Sequence, residues 1–273
     1  MSEYALLDSG HEHKFEKFGK FTLVRPCSQA VWQPTLEKKE WEMADAIFTR
    51  EPVNQWKLKT KLPLSWTVTC HGIKFKVVPT DFGHLGIFPE HASLWSWMAP
   101  RVHKGSNILN LFAYTGGATL ALAKAGAKVC HLDASKAVVA WARENALLND
   151  LDKAEIRWIV DDVIKFLQRE VRRGVLYDGI ILDPPTFGRG NKGEIFKIEK
   201  DLFNILDLCR KLLSPKPLFF ILSSHTPGYT PLVMHHLLRQ VTEGLKGTIE
   251  SGEMIIPCDL SLPSGTYARW YGQ

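Results

Sequence analysis

The sequence predicts an α/β protein in which helices cover a doubly wound sheet, and three observations carry that prediction. From Ile108 onward, short apolar stretches of strand length alternate with longer helical ones. The first stretch, Ile108–Phe112, runs into Gly116-Gly117, where glycine permits both a tight turn and the close approach of a ligand. The next three end in carboxylates: Lys128–Asp133, Ile156–Val160 before Asp161-Asp162, and Tyr177–Leu182 before Asp183. Together they describe a nucleoside-cofactor cleft and its reacting edge.

Within residues 1–100 the pattern is that of a small α+β region. Phe18–Val24 and Gln29–Trp32 read as strands, and Glu37–Phe48 as a helix with Met43, Ile47 and Phe48 among its apolar positions. Ser65–Cys70 and Ile73–Val78 read as a hairpin turning at His71-Gly72. The polar, proline-started joint Pro100–Gly105 is the expected boundary with residues 101–273. Beyond it, Ala118–Ala125, Ser135–Leu148, Val163–Arg172, Glu194–Leu213 and Thr230–Leu245 are the helices. Pro217–Ser224, Thr248–Met254 and Thr266–Tyr271 are further strands, the last reached through a hairpin at Pro257–Gly265.

A chain of 273 residues suits a main domain with an accessory region, and 45% hydrophobic residues can bury a substantial core. Five cysteines without a C-x-x-C pair fit neither a disulfide framework nor a zinc site, which points to reducing cytoplasm. Met1–Phe15 lacks the apolar core of a signal peptide, and the uncharged stretch Pro217–Leu238 is broken by serines, Pro227 and Gly228, so no membrane span is expected. The formal charge of +5 does not define a partner, but its distribution is uneven. Between Pro52 and Thr80 stand Lys57, Lys59, Lys61, Lys74 and Lys76 with no acid. In extended chain Lys57, Lys59 and Lys61 would share a face able to grip phosphates, or simply form a solvated, aggregation-blocking edge. Trp56 and Trp66 would stack on bases or belong to the core.

The glycines at 116, 117 and 126 do not keep the G-x-G-x-x-G spacing of a dinucleotide site, which disfavours a nicotinamide oxidoreductase. Asn110-Leu-Phe-Ala-Tyr-Thr-Gly-Gly117 and Asp183-Pro-Pro-Thr-Phe187 instead resemble the turn and loop of class I S-adenosylmethionine-dependent methyltransferases. More narrowly they are similar to the bacterial 23S ribosomal RNA large-subunit methyltransferase family, the resemblance covering roughly Gly72 to Ser224. It implies a Rossmann-like seven-stranded sheet with an antiparallel last strand, S-adenosylmethionine as cofactor, RNA as partner, and no metal. It further implies that Asn110, Phe112, Tyr114, Thr115, Gly116 and Gly117 hold the methionine end. Asp133, with Ala134 and Ser135, would hold the ribose, and Asp162 with Val163 the adenine edge. Phe88, in the Gly86–His91 segment, would cover the cofactor. Asp133 and Asp162 can equally be helix caps, and His91 the start of a helix with Trp95 and Trp97.

Asp183, Pro184 and Pro185 are the candidate catalytic residues; the resemblance places Asp183 facing the methyl sulfonium, as a cofactor ligand that holds the methionine amino group or as a group that orients the acceptor. Two prolines stiffen the loop, remove N–H donors and leave carbonyl oxygens to accept from a substrate amine, while Phe187 can stack a base. The chain departs from the cytosine-C5 enzymes of that family, which carry a cysteine after the fifth strand and a lysine after Asp-Pro-Pro. Here stand Ser223-Ser224-His225 and Thr186, and Pro257-Cys258 reads as structural. The sequence therefore leans toward nitrogen methylation, with His225 a base or a loop cap. Methylation of a small molecule or protein, and an inactive RNA-binding module, are the alternatives.

Overall fold

A computed structural model describes residues 2–190 and 193–272. It resolves two compact units, Met1–Ala92 with Ile255–Ser264, and Ser93–Met254 with Gly265–Gln273. The sequence places the boundary at residue 100; Cα packing instead draws it at 92/93 and returns residues 255–264 to the first unit.

The first unit is built on a five-stranded sheet in the order β1 (Tyr4–Gly10), β2 (His13–Phe18), β3 (Phe21–Pro26), β4 (Ala46–Thr49) and β5 (Gln55–Leu58). Its neighbours are antiparallel except for β3 and β4. The Glu16 carboxylate is fully buried in it, accepting from Arg25 Nε at 2.8 Å and from the Tyr4 hydroxyl at 3.0 Å. Arg25 also donates to Gly83 O at 3.0 Å, and Ser264 Oγ to Glu90 Oε1 at 2.8 Å, so polar bonds tie later segments into the unit.

Two sequence expectations fail here. The helix predicted across residues 37–48 is confined to α1 (Lys38–Trp41). The cause is tertiary: Asp8 accepts from Leu36 N–H at 2.8 Å and from the Trp41 indole at 3.0 Å, and Asp45 accepts from Thr22 N–H at 2.8 Å. These bonds turn Ile47 and Phe48 into β4, where they pair with Lys57 and Trp56. Burial pushes the Asp8 carboxyl up, but its donors hold it below the usual range. Residues 29–32 form no strand; the Ala30 N–H closes a turn on Cys27 O. β1 was not foreseen. The hairpin of β6 (Trp66–Cys70) and β7 (Ile73–Val77) is as predicted.

In the second unit, α2 (Ala92–Met98) precedes β8 (Asn107–Leu111), α3 (Gly117–Lys124), β9 (Lys128–Asp133), α4 (Lys136–Leu148), β10 (Ile156–Val160), α5 (Val163–Arg173) and β11 (Gly179–Leu182). A small ribbon follows, β12 (Phe187–Arg189) and β13 (Ile195–Lys197), then α6 (Ile198–Lys211), β14 (Phe219–Ser224), α7 (Pro231–Val241), β15 (Gly247–Ile256) and β16 (Leu262–Gly272). Glu194–Lys197, expected to open a helix, instead lead into and form β13, and α6 starts only at Ile198.

The seven-stranded sheet has the order β10-β9-β8-β11-β14-β16-β15. β10 through β14 are parallel, and β16 is antiparallel to β14. Leu109, Leu132, Ile180, Leu182, Phe220 and Leu222 are fully buried, the continuous apolar run expected of parallel strands covered on both faces. Local sequence sets the helix starts. Ser135 Oγ accepts from Val138 N–H, Asp162 from Lys165 N–H, and Thr230 Oγ1 from Val233 N–H ahead of Pro231. Among the described residues no helix is long and apolar enough to cross a membrane.

Candidate active site

Register aligns the carboxyl ends of the parallel strands. Leu111 pairs with Leu132 and Leu182, Leu182 with Leu222, and Val160 with Asp133. The chain winds from β8 toward β10 on one side and from β11 toward β14 on the other. The β8/β11 junction is thus the topological switch point, where sheets of this kind bind ligands.

The turn after β8 is held in an unusual backbone form. Phe112, Tyr114 and Gly116 have φ of 54°, 49° and 93°. Positive φ is uncommon for non-glycine residues and persists only where neighbours impose it. They do so here: Ala113 N–H donates to Leu132 O at 3.0 Å, Tyr114 N–H to Asp133 Oδ2 at 3.0 Å, and Gly116 N–H to Ala113 O at 3.0 Å. Gly117 is also required for packing: a Cβ there would collide with the Trp95 ring.

Beneath this turn runs a buried polar chain that sequence reading missed apart from Asn110. The Asn110 amide donates to Thr119 Oγ1 at 2.9 Å, and Thr119 Oγ1 lies 2.9 Å from His131 Nδ1. Thr119, having accepted from Asn110, has its own proton to donate, so His131 Nδ1 is the acceptor of a neutral ring. Burial, reinforced by the charge of Arg143, lowers the His131 pKa to about 3, in agreement with that state. Asn145 Nδ2 donates to Thr115 O at 3.0 Å and fixes the turn from α4. The signal available in the sequence was polar residues inside an otherwise apolar strand and helix.

Asp133 does not cap α4; Ser135 does. Its carboxylate accepts from Ser135 N–H at 2.9 Å through one oxygen and from Tyr114 N–H through the other. Burial raises its pKa, and the hydrogen bonds from the Ser135, Tyr114 and Ala134 amides offset this only in part. Three amides leave the four lone pairs of this buried carboxylate incompletely satisfied. A ribose hydroxyl is a donor that would complete it, so these residues fit a nucleoside cofactor. Asp162 does cap its helix, through Oδ1 on Lys165 N–H at 2.9 Å. The two oxygens of Asp161 are directed at the Asp162 N–H and at Arg169.

At the end of β11, Asp183 Oδ1 accepts from Ser223 Oγ at 2.8 Å and lies 3.8 Å from His225 Nδ1. Pro184 is buried and Pro185 exposed. Among the described residues nothing donates to the carbonyl of either proline. Thr186 Oγ1 bonds Thr226 Oγ1 at 2.8 Å, linking the loops after β11 and β14, and the Phe187 ring is exposed.

The other candidates belong to the first unit. Phe88 precedes a single 3₁₀ turn, Pro89–His91, with its ring edge-on to His84 and His91. Lys57, Lys59 and Lys61 are exposed but do not share a strand face. β5 stops at Leu58 because Lys59 N–H and Thr60 N–H both turn to Asp45 O, and the Lys59 ammonium bonds Glu42 O. Lys74 and Lys76 do share one face of β7. Trp56 packs on Phe48 and donates to Thr80 O at 2.9 Å; Trp66 packs on Phe21 and donates to Phe18 O at 3.0 Å. Both indoles are structural. Burial raises all five thiols, to about 12 at Cys70 and about 11 at Cys130, and the half-buried Cys258 sits against Leu7 O.

A seven-stranded sheet in this order, with a strained turn after its central strand and carboxylates after the next three, defines a nucleoside-dependent transferase. The chain belongs to the S-adenosylmethionine-dependent methyltransferase family, whose model matches residues 48–234. It is an enzyme of that class, with S-adenosylmethionine as its cofactor. A crystal structure of the SAM dependent methyltransferase from Agrobacterium tumefaciens is 39% identical with a TM-score of 0.95, covering 100% of this chain and 91% of that one. The SMU.776 structure, complexed with SAH, shares the fold at 21% identity and a TM-score of 0.79, covering 98% and 75%. Among curated proteins, Ribosomal RNA large subunit methyltransferase K/L of Shewanella sp. (strain ANA-3) is 35% identical over 165 residues, 59% of this chain and 23% of that protein. The matched segment is thus about a quarter of that relative's length.

Proposed function

We propose that the protein transfers the methyl group of S-adenosylmethionine to a nitrogen of a base in ribosomal RNA. The observation that carries this reading is the Asp183-Pro184-Pro185 segment. It closes β11 beside the strained turn, with Asp183 oriented by Ser223 and, among the described residues, no donor on either proline carbonyl. An amine or ring N–H of a base is the donor such carbonyls accept.

In this reading Asp133, with Ala134 and Ser135, binds the ribose. Asp162 and the Val163 amide bind the adenine edge, Asn110 to Gly117 frame the methionine end, and Phe88 covers it. When bound, the cofactor supplies an activated methyl group, so the protein's task is positioning. Asp183, Pro184 and Pro185 align the acceptor nitrogen, Phe187 stacks the base, and Lys57, Lys59 and Lys61 meet backbone phosphate. Choice of nitrogen over cytosine C5 is supported by the thiols. Carbon methylation needs a thiolate to add to the ring; Ser223-Ser224-His225 stand where the cytosine-C5 enzymes carry a cysteine, and burial raises the pKa of all five thiols of this chain. The ribosomal assignment is supported by the name of the K/L relatives.

The test is methyl transfer from labelled S-adenosylmethionine to deproteinised ribosomal RNA, followed by mass mapping of the modified nucleoside. An N-methylated base is the expected product. 5-Methylcytosine would overturn the nitrogen assignment, and label found only in protein or small molecules would overturn the RNA assignment.

A further inference from the structure

The two-stranded ribbon that follows Asp183-Pro184-Pro185 has two unlike faces. β12 and β13 pair Phe187 with Lys197, Gly188 with Phe196, and Arg189 with Ile195. Residues two apart in a strand share a side, so Gly188 and Phe196 form one face, and Phe187, Arg189, Ile195 and Lys197 the other. The first face is docked, with the Phe196 ring 5.2 Å from that of Phe112 in the cofactor turn. The second is open. Phe187 is 48% exposed and Ile195 60% exposed. The Arg189 guanidinium lies 5.8 Å over the Phe187 ring. Neither Arg189 nor Lys197 is in an ion pair among the described residues, and Glu194, the one acid in the ribbon sequence, is paired with Lys165 at 2.6 Å.

We propose that this outer face of the ribbon holds the single-stranded RNA flanking the target base. The proposal rests on the RNA reading above and extends it from one stacking ring to a strand-binding surface. Proteins that hold single strands combine an aromatic platform for the bases with cations that follow the phosphates. Phe187 and Ile195 are the platform; Arg189 and Lys197 are the cations. A face carrying two cations, no free acid and an exposed ring matches a polyanion with stacking bases better than an apolar protein surface. Its position is fixed as well. Thr186 bonds Thr226 at the base of β12, Ile198 N–H donates to Thr186 O at 3.2 Å, and Gly190 N–H donates to Glu194 O at 2.8 Å across the ribbon. A strand held here is presented to Asp183 without a search by a loose loop.

The experiment measures the affinity of the full chain for a labelled single-stranded RNA of mixed sequence over a series of potassium chloride concentrations. Calorimetric titration with S-adenosylhomocysteine serves as the check of folding. Arg189→Gln with Lys197→Gln should flatten the log-affinity against log-salt slope by about 1.4 units, since each phosphate contact on a single strand contributes about 0.7. Arg189→Lys with Lys197→Arg should restore the slope. Phe187→Ala and Ile195→Ser should weaken binding while leaving the slope in place. If the double glutamine variant fails the folding check, Lys197→Gln alone should flatten the slope by about 0.7. A wild-type slope in variants that bind S-adenosylhomocysteine, alongside RNA methylation by the wild type, overturns the ribbon proposal and leaves the RNA reading standing. Absence of both RNA binding and RNA methylation in the wild type overturns the two together.

Discussion

The candidate residues of the two units differ in how many partners hold them. At the carboxyl edge of the seven-stranded sheet, Asp133 takes amides from two loops, Asp183 is oriented by Ser223, and Asn110, Thr119 and His131 form a continuous buried chain. In the first unit the buried polar groups are as well tied, at Asp8, Glu16 and Arg25, but the lysines proposed for RNA stand in solvent and, among the described residues, only Lys59 of the three has an anchor. Chemistry that depends on placement within an ångström needs the first arrangement. A phosphate grip, which acts through long-range charge, is served by the second. Substitutions at the sheet edge should therefore produce specific, local losses, and those in the lysine segment graded, salt-dependent ones.

The largest effect is expected at Asp133. Removing its carboxylate in Asp133→Ala removes two charge-assisted bonds to the ribose, and S-adenosylhomocysteine affinity should fall by roughly 2–4 kcal/mol. Calorimetry on folded protein checks this. Unchanged affinity would reduce Asp133 to a brace for the turn through Tyr114 and Ser135. Asp183→Ala comes next. With saturating cofactor its turnover should fall about 100-fold, near 2.7 kcal/mol in the barrier, while S-adenosylhomocysteine affinity changes far less. Equal losses in binding and turnover would make Asp183 a cofactor ligand only.

The same contrast explains what the sequence revealed. From Ile108 onward the strands of the parallel sheet announce themselves by apolar runs, and Ser135, Asp162 and Thr230 mark three of the helix starts, because the centre of that sheet is buried on both faces and local patterns there agree with the global fold. The turn residues and the three carboxylates were legible for that reason. Where a distant group decides the local form, the pattern misled. Asp8, in β1, binds Leu36 and Trp41 on either side of α1, Asp45 terminates β5 and so scatters the lysine face, and Trp95 leaves Gly117 no room for a Cβ. The pairing of β12 with β13 likewise depends on Glu194–Lys197 giving up a helical start.

The buried chain beneath the turn gives a third, pH-dependent effect. His131 titrates near 6.5 when unfolded but about 3 when folded, so between those values the unfolded state binds the extra proton and stability falls as pH falls. The loss from this one group should reach about 2 kcal/mol at pH 5 relative to neutral pH. His131→Gln keeps an acceptor for Thr119 and cannot titrate. Its denaturation profile between pH 7 and pH 5 should accordingly be flatter than that of the wild type by that amount. Parallel profiles would mean that the ring is reached by water or proton in the folded state, and that the turn is less rigid than its hydrogen bonds imply.

The smallest effect per residue belongs to the lysines, and it separates the two units most directly. Three independent phosphate contacts at Lys57, Lys59 and Lys61 would flatten the salt slope of single-stranded RNA binding by about 2 units on neutralisation. The structure argues for fewer, because the Lys59 ammonium is already bonded to Glu42 O, whereas Lys57 and Lys61 are exposed. Lys57→Gln with Lys61→Gln should therefore account for about 1.4 units, and adding Lys59→Gln should change the slope little further. S-adenosylhomocysteine affinity should stay at its wild-type value throughout, since these side chains act through charge on the RNA. A slope unaffected by the double variant would return Lys57 and Lys61 to an exposed, solvated face and confine RNA contact to the second unit. A slope that moves only when Lys59 is included would show instead that its bond to Glu42 O yields to phosphate, making the anchored lysine, and not the exposed pair, the point of contact.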